Sequence, residues 1–212
     1  TYGLLSAVRV VGTDPSSGTA GDDIYLQYDE GSSYDLDDYG APAGMTGVVS
    51  AGDGDDLIVG SRSTTSTYKD DLSGDDGEDE IEGHAGEDRI SGGAHADTIS
   101  GGADHDVIDG DGGDDIIKGD GGDDTINGDG GEDHISGGTE ADTIYGGTGD
   151  DDLCGDAGDD WLDGQAGDDK LWGDTAYDWK DGGIHNAGDS CDAAGTNTRC
   201  EFVQANRPLG CP

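Results

Sequence analysis

Between residues 74 and 181 one large aliphatic side chain recurs at every ninth position, set among polar neighbours. The series runs Ile81, Ile90, Ile99, Ile108, Ile117, Ile126, Ile135, Ile144, Leu153, Leu162 and Leu171, and stops where Lys180 takes the next place. Side chains alternate along a strand, so an aliphatic residue between two polar ones predicts a short strand with one inward position. A fixed period predicts a repeated structural unit. The stretch divides into twelve blocks of nine, such as GDGGDDTIN and GGADHDVID. In each block the first six places read as a turn and the last three as a strand.

The flanks follow other patterns. In residues 1–50, LLSAVRVVG and DDIYLQYD alternate like half-buried strands and MTGVVS adds a third, which predicts a small β-structured N-terminal cap. Residues 51–59, AGDGDDLIV, form one more good block. Five residues then break the phase, and 65–73 keeps only Asp70 and Leu72 of the pattern, as expected of a loop bulging from one turn. Beyond 181 the repeat dissolves into a cysteine- and proline-bearing segment, 182–212, read as a C-terminal cap. The organisation is therefore 1–50, 51–181 and 182–212.

Within the blocks, Gly holds the first place and Asp the sixth in all twelve. Glycine at the first, second or fourth place supplies positive φ and lets backbone carbonyls crowd together. Aspartate supplies a hard carboxylate oxygen.

This pattern resembles the glycine-rich nonapeptide G-G-x-G-x-D-x-U-x of the repeats-in-toxin (RTX, haemolysin-type) calcium-binding family, U being a large aliphatic. The resemblance implies an all-β fold, a right-handed parallel β-roll or β-solenoid in which two nonads make one turn. It implies Ca²⁺ as the bound ion, held between turns two nonads apart by mixed carboxylate and carbonyl oxygens. One column of carboxylates is then Asp79, Asp97, Asp115, Asp133, Asp151 and Asp169. The other is Asp88, Asp106, Asp124, Asp142 and Asp160, ending at Asp178, whose turn has Ala176 at the fourth place. Five gaps per column give about ten ions, and Asp56 adds another by stacking over Asp79. Fourth-place departures from glycine at His95, Asp104, Glu140 and Ala176 fall mostly in the second column, which is expected to bind more weakly.

Composition sharpens this. Asp and Glu number 51 against nine Lys and Arg, for a net charge of −42, with 43 glycines and a single Phe. Without the phasing this would be a disordered acidic chain, and disorder in the absence of calcium is expected. The charge argues against nucleic acid, which needs a basic patch, and for cations. No apolar run reaches the length of a membrane span. The chain begins at Thr1, as a processed form would. Cys154, Cys191, Cys200 and Cys211 suggest disulfides and an oxidising, extracellular compartment, Cys191 with Cys200 being the nearest pair in sequence.

Other chemistry is sparse. His84, His95, His105, His134 and His185 share no column, and H-E-x-x-H is absent. Neither the EF-hand pattern nor a convincing nucleophile loop occurs, and no enzyme activity is expected. Trp161 and Trp179 stand two nonads apart and should stack on one face, above Thr143 and Thr125, with Tyr145 nearby; Trp172 lies one turn beyond Cys154. These aromatics either pack under the C-terminal cap or form a strip for a glycan or surface partner. The expected function is an extracellular calcium-binding structural protein, a cell-surface, adhesive or filament-forming component able to stack end to end. The alternative is the calcium-binding domain of a secreted hydrolase or toxin, disfavoured because some 50 N-terminal residues leave no room for a catalytic domain.

Overall fold

The computed structural model describes residues 24–27, 33–35, 47–60, 69–173, 179–182, 190–192, 196–198 and 202–204. Its strands alternate between two parallel sheets of ten. The first sheet contains β1 (Ile24–Gln27), β3 (Gly47–Asp53), β5 (Asp71–Asp76), β7 (Arg89–Ala94), β9 (Val107–Gly112), β11 (Thr125–Gly130), β13 (Thr143–Thr148), β15 (Trp161–Ala166), β17 (Trp179–Asp181) and β19 (Thr196–Thr198). The second contains β2 (Ser33–Asp35), β4 (Leu57–Val59), β6 (Glu80–Ala85), β8 (Thr98–Ala103), β10 (Ile116–Gly121), β12 (His134–Thr139), β14 (Asp152–Ala157), β16 (Lys170–Trp172), β18 (Ser190–Asp192) and β20 (Phe202–Gln204). Through the array the register advances by two nonads, with Ile117 pairing to Ile99 on one side and Ile135 on the other. Two nonads therefore make one turn, and the fold is a parallel β-solenoid.

The periodic aliphatic positions fill the space between the sheets. Val49, Ile58 and Leu72 continue the series Ile81 to Leu171, and every one is essentially inaccessible to solvent. Strands β3 to β16 each contribute one large aliphatic side chain to it, so the core there is a thin double file. Lys180, where the aliphatic run stops, is also fully buried and pairs in register with Leu162.

The strands are longer than the sequence pattern predicts. Strands β5 to β15 each span six residues, from the seventh place of one nonad to the third place of the next, which leaves only places four to six as a tight turn. The second place takes a left-handed conformation, with φ of 74° at His84, 69° at Asp111 and 119° at Gly93. The chain kinks there, and the ladder resumes past it: Lys118 pairs with Ser136, then Asp120 with Gly138.

The irregular unit is absorbed without loss of register. Val49 pairs with Leu72 and Ile58 with Ile81, a longer step than the two nonads found elsewhere in the array. The extra residues fall in the connection from β4 to β5, most of which, 61–68, lies outside the described residues. The described strands of both flanks extend the same two sheets: Tyr25 pairs with Val48, Tyr34 with Ile58, Cys191 with Leu171 and Val203 with Cys191. The expected pairing of Cys191 with Cys200 lies outside the described residues, as does Asp178. Among the described residues no helix is long and apolar enough to cross a membrane.

Candidate metal centre

The sixth-place aspartates end the tight turns, just before each strand. Asp56, Asp79, Asp88, Asp97, Asp106, Asp115, Asp124, Asp133, Asp142, Asp151, Asp160 and Asp169 are all buried. Their Oδ1 atoms build two continuous ladders. Asp97 N–H donates to Asp115 Oδ1 at 2.8 Å, Asp115 N–H to Asp133 Oδ1 at 2.9 Å, and Asp133 N–H to Asp151 Oδ1 at 2.9 Å. In the other column Asp88 N–H donates to Asp106 Oδ1, Asp106 N–H to Asp124 and Asp124 N–H to Asp142 at 2.8–2.9 Å. Asp160 and Asp169 extend the ladders as acceptors from Asp142 and Asp151. Asp56 stacks over Asp79, donating its N–H to Oδ1 at 2.7 Å.

The first-place glycines make room for this arrangement. A Cβ built on Gly101 would come within 2.6 Å of Asp106 Oδ2, and one on Gly110 within 2.6 Å of Asp115 Oδ2 and 2.9 Å of the Gly128 carbonyl. The conformational reason expected for glycine here therefore does not hold at the first place. The left-handed residues stand at the second and fourth places, and non-glycine His95, Asp104 and Glu140 adopt that conformation at the fourth with φ of 84°, 77° and 75°.

The two carboxylate oxygens differ in what they meet. Oδ2 of Asp79, Asp88, Asp97, Asp106, Asp115, Asp124, Asp133, Asp142 and Asp151 is buried and lacks a hydrogen-bond donor. Burial pushes the carboxyls up, to about 7 at Asp88, Asp97 and Asp151 and about 8 at Asp106 and Asp142, against a lowering contribution from the backbone N–H each accepts. Carboxylates one turn away add to the rise: Asp88 and Asp124 act on Asp106, Asp124 and Asp160 on Asp142. Asp115 and Asp124 are raised less, to about 6.

A row of buried carboxylate oxygens without donors, raising one another's pKa, is completed by a hard cation. The donor set fits calcium, which takes oxygen from carboxylates and main-chain carbonyls alike. Among the described residues no three Asp, Glu, His or Cys side chains converge on one point. The sixth-place carboxylates would therefore hold an ion together with carbonyls of the turn backbone. What the ion supplies is charge: it neutralises stacked carboxylates that otherwise repel.

Two features lie beyond the expected site residues. Asp70, in the degraded unit, is buried and joins the second column by donating its N–H to Asp88 Oδ1 at 2.8 Å. Its sixth-place phase was the available signal. The fifth place forms a ladder running the opposite way. Asp114 Oδ1 accepts from Glu132 N–H at 2.9 Å, Asp123 Oδ1 from Ala141 N–H at 3.0 Å, and Asp150 Oδ1 from Asp168 N–H at 2.9 Å. His105 occupies the same place, its Nδ1 lying 2.8 Å from Asp123 N. The frequency of acids at the fifth place could have revealed it.

The aromatic residues pack in two ways. Trp161 and Trp179 stack with ring centroids 3.5 Å apart and planes inclined by 22°, and Trp161 is exposed. Trp172 is buried beside buried Cys154, its register partner.

Stacked turns, each closing on a buried carboxylate one turn above the next, define a β-solenoid whose turns suit calcium. The particular family follows from its repeat: a family model described as the RTX calcium-binding nonapeptide repeat (4 copies) matches residues 48–63, 64–99, 73–108, 91–126, 127–162 and 145–179. These segments together run from 48 to 179, and the chain belongs to that family. No curated protein matches the chain.

Proposed function

We propose that this chain is an extracellular, non-enzymatic structural module that calcium hardens from a disordered acidic chain into a solenoid. The observation that carries the reading is the file of buried sixth-place Oδ2 atoms without hydrogen-bond donors. Asp56, Asp79, Asp88, Asp97, Asp106, Asp115, Asp124, Asp133, Asp142, Asp151, Asp160 and Asp169 hold about ten ions between successive turns, mixing carboxylate with carbonyl oxygen. The column running from Asp88 to Asp160 binds more weakly, because its turns hold two non-glycine residues, Asp104 and Glu140, left-handed at the fourth place, where the other column has His95.

An extracellular setting is supported by the calcium supply. Sites of this class saturate at about 10⁻⁴–10⁻³ M, which is available outside the cell. Cys154 is buried and no described cysteine is a free thiol, which supports disulfide fastening of the C-terminal segment. Parallel sheets that extend from Ile24–Gln27 and Ser33–Asp35 to Thr196–Thr198 and Phe202–Gln204 favour end-to-end stacking of copies. The exposed Trp161 edge offers a lesser contact for a glycan or protein surface, since one ring face is covered by Trp179.

Isothermal titration should count about ten calcium ions in two affinity classes. Sizing and electron microscopy should show rods in calcium that join into strings at high concentration. Particles that stay strictly monomeric would remove the filament part of the reading.

A further inference from the structure

Asn127–Gly128 is the only Asn-Gly pair in the chain; Asn186, Asn197 and Asn206 are followed by Ala, Thr and Arg. We propose that this pair is a deamidation site gated by calcium-dependent folding, so the chain records how long it has stood without calcium. The proposal rests on the calcium-folding reading above.

The chemistry is intramolecular. The Gly128 amide nitrogen attacks the Asn127 side-chain carbonyl carbon, forming a five-membered succinimide. The side-chain nitrogen leaves as ammonia, taking up the Gly128 amide proton. Water then opens the ring at either carbonyl to give aspartate or isoaspartate. Glycine favours the attack because it has no Cβ and leaves the backbone free to rotate. In the unfolded chain nothing opposes that rotation.

In the folded array several contacts oppose it. Asn127 sits inside β11 and pairs in register with Asp109 on one side and Tyr145 on the other, so no strand edge is open. Its side chain is anchored across the turn, with Nδ2 donating to Asp109 Oδ1 at 2.6 Å. Gly128 is itself packed against the Asp133 carboxylate and the Gly146 carbonyl. Forming the ring requires local opening of the central turns, which lie among the best-paired parts of a solenoid.

The products would damage the array. Isoaspartate routes the backbone through Cβ and inserts a methylene between Ile126, in the core, and Gly128, under Asp133. Asp133 could then no longer keep the two-nonad register in which its Oδ1 accepts the Asp115 N–H. Ordinary aspartate replaces a donor with a second carboxylate facing Asp109, which has Arg89 as a cationic neighbour at 3.6 Å. The many Asp-Gly pairs are slower sites, because a carboxylate is the poorer electrophile, and their isomerisation leaves the mass unchanged.

The test incubates the protein in calcium and in chelator at mildly alkaline pH. Peptide mass mapping follows the amide-to-acid mass gain at 127, and circular dichroism follows folding in both arms. Conversion should be at least about tenfold faster in chelator, as expected where exchange needs local opening. On return to calcium, the wild type should lose refoldable protein as isoaspartate accumulates. Asn127→Ser, the residue that Ser91, Ser100 and Ser136 place at the equivalent position, should keep it. Equal conversion in both arms, with dichroism showing folding only in calcium, overturns the proposal and leaves the calcium reading standing. A chain folded in both arms with Asn127 equally protected overturns the calcium reading and the gating together.

Discussion

At the residue scale, the array depends on two places that answer one another: the first-place glycine leaves the space that the sixth-place carboxylate occupies. Gly110→Ala drives a methyl into Asp115 Oδ2, the Gly128 carbonyl and Ile117, and should destabilise the calcium-loaded protein by about 1–3 kcal/mol in thermal melts. Gly112→Ala, two residues on, meets nothing nearer than 3.9 Å and should fall within about 0.5 kcal/mol of wild type. Asp115→Asn keeps an oxygen for the Asp97 N–H but removes the charge, and titration calorimetry should find about one ion fewer. Glu140→Gly relieves a left-handed non-glycine residue and should stabilise by about 1 kcal/mol. The importance of glycine and aspartate was legible in the repeat. The reason for the first-place glycine was not, because the clash that excludes a side chain comes partly from the neighbouring turn, two nonads away in sequence.

At the element scale, each strand and turn is fixed by the next one in its column rather than by its own sequence. The pattern of Ile117 between Ile116 and Lys118 showed a strand with one inward position, yet not that the strand continues through Gly119 to Gly121 beyond a kink. That extension belongs to pairing with β8 and β12, which a single nonad cannot display. The same stacking sets the pH response. Burial raises the carboxyls of Asp88, Asp97, Asp106, Asp115, Asp124, Asp142 and Asp151 from their ordinary value to about 6–8, so without calcium the folded array holds more protons than the unfolded chain. Stability from this source is fully present below the unfolded pKa near 3.8 and is lost as pH rises through about 6–8. In calcium-free buffer, acidification from mildly alkaline pH toward the unfolded carboxyl pKa should therefore increase β-sheet signal. With calcium present the sign reverses, because protons compete for the same oxygens, and the calcium midpoint should rise as pH falls.

At the scale of the whole molecule, a core one side chain thick per strand must hold together a chain of net charge −42. About ten calcium ions would bring about +20, roughly halving that charge. A site with Kd of about 10⁻⁴ M in about 1 mM calcium adds about 1.4 kcal/mol, and about ten such sites rival the net stability of an ordinary domain. The solenoid and its two columns were legible because Ile or Leu, Gly and Asp keep phase through eleven nonads. The flanks were less so: Ile24–Gln27 and Phe202–Gln204 join the same sheets at irregular offsets that no repeat announces. On the proposed reading, calcium, not the aliphatic file, decides whether this chain is folded. Far-UV circular dichroism at neutral pH tests it most directly, by titrating calcium into the chelated protein. The expected result is a disordered spectrum in chelator and a cooperative rise of β signal with calcium; a full β spectrum already present in chelator would overturn the calcium-folding proposal.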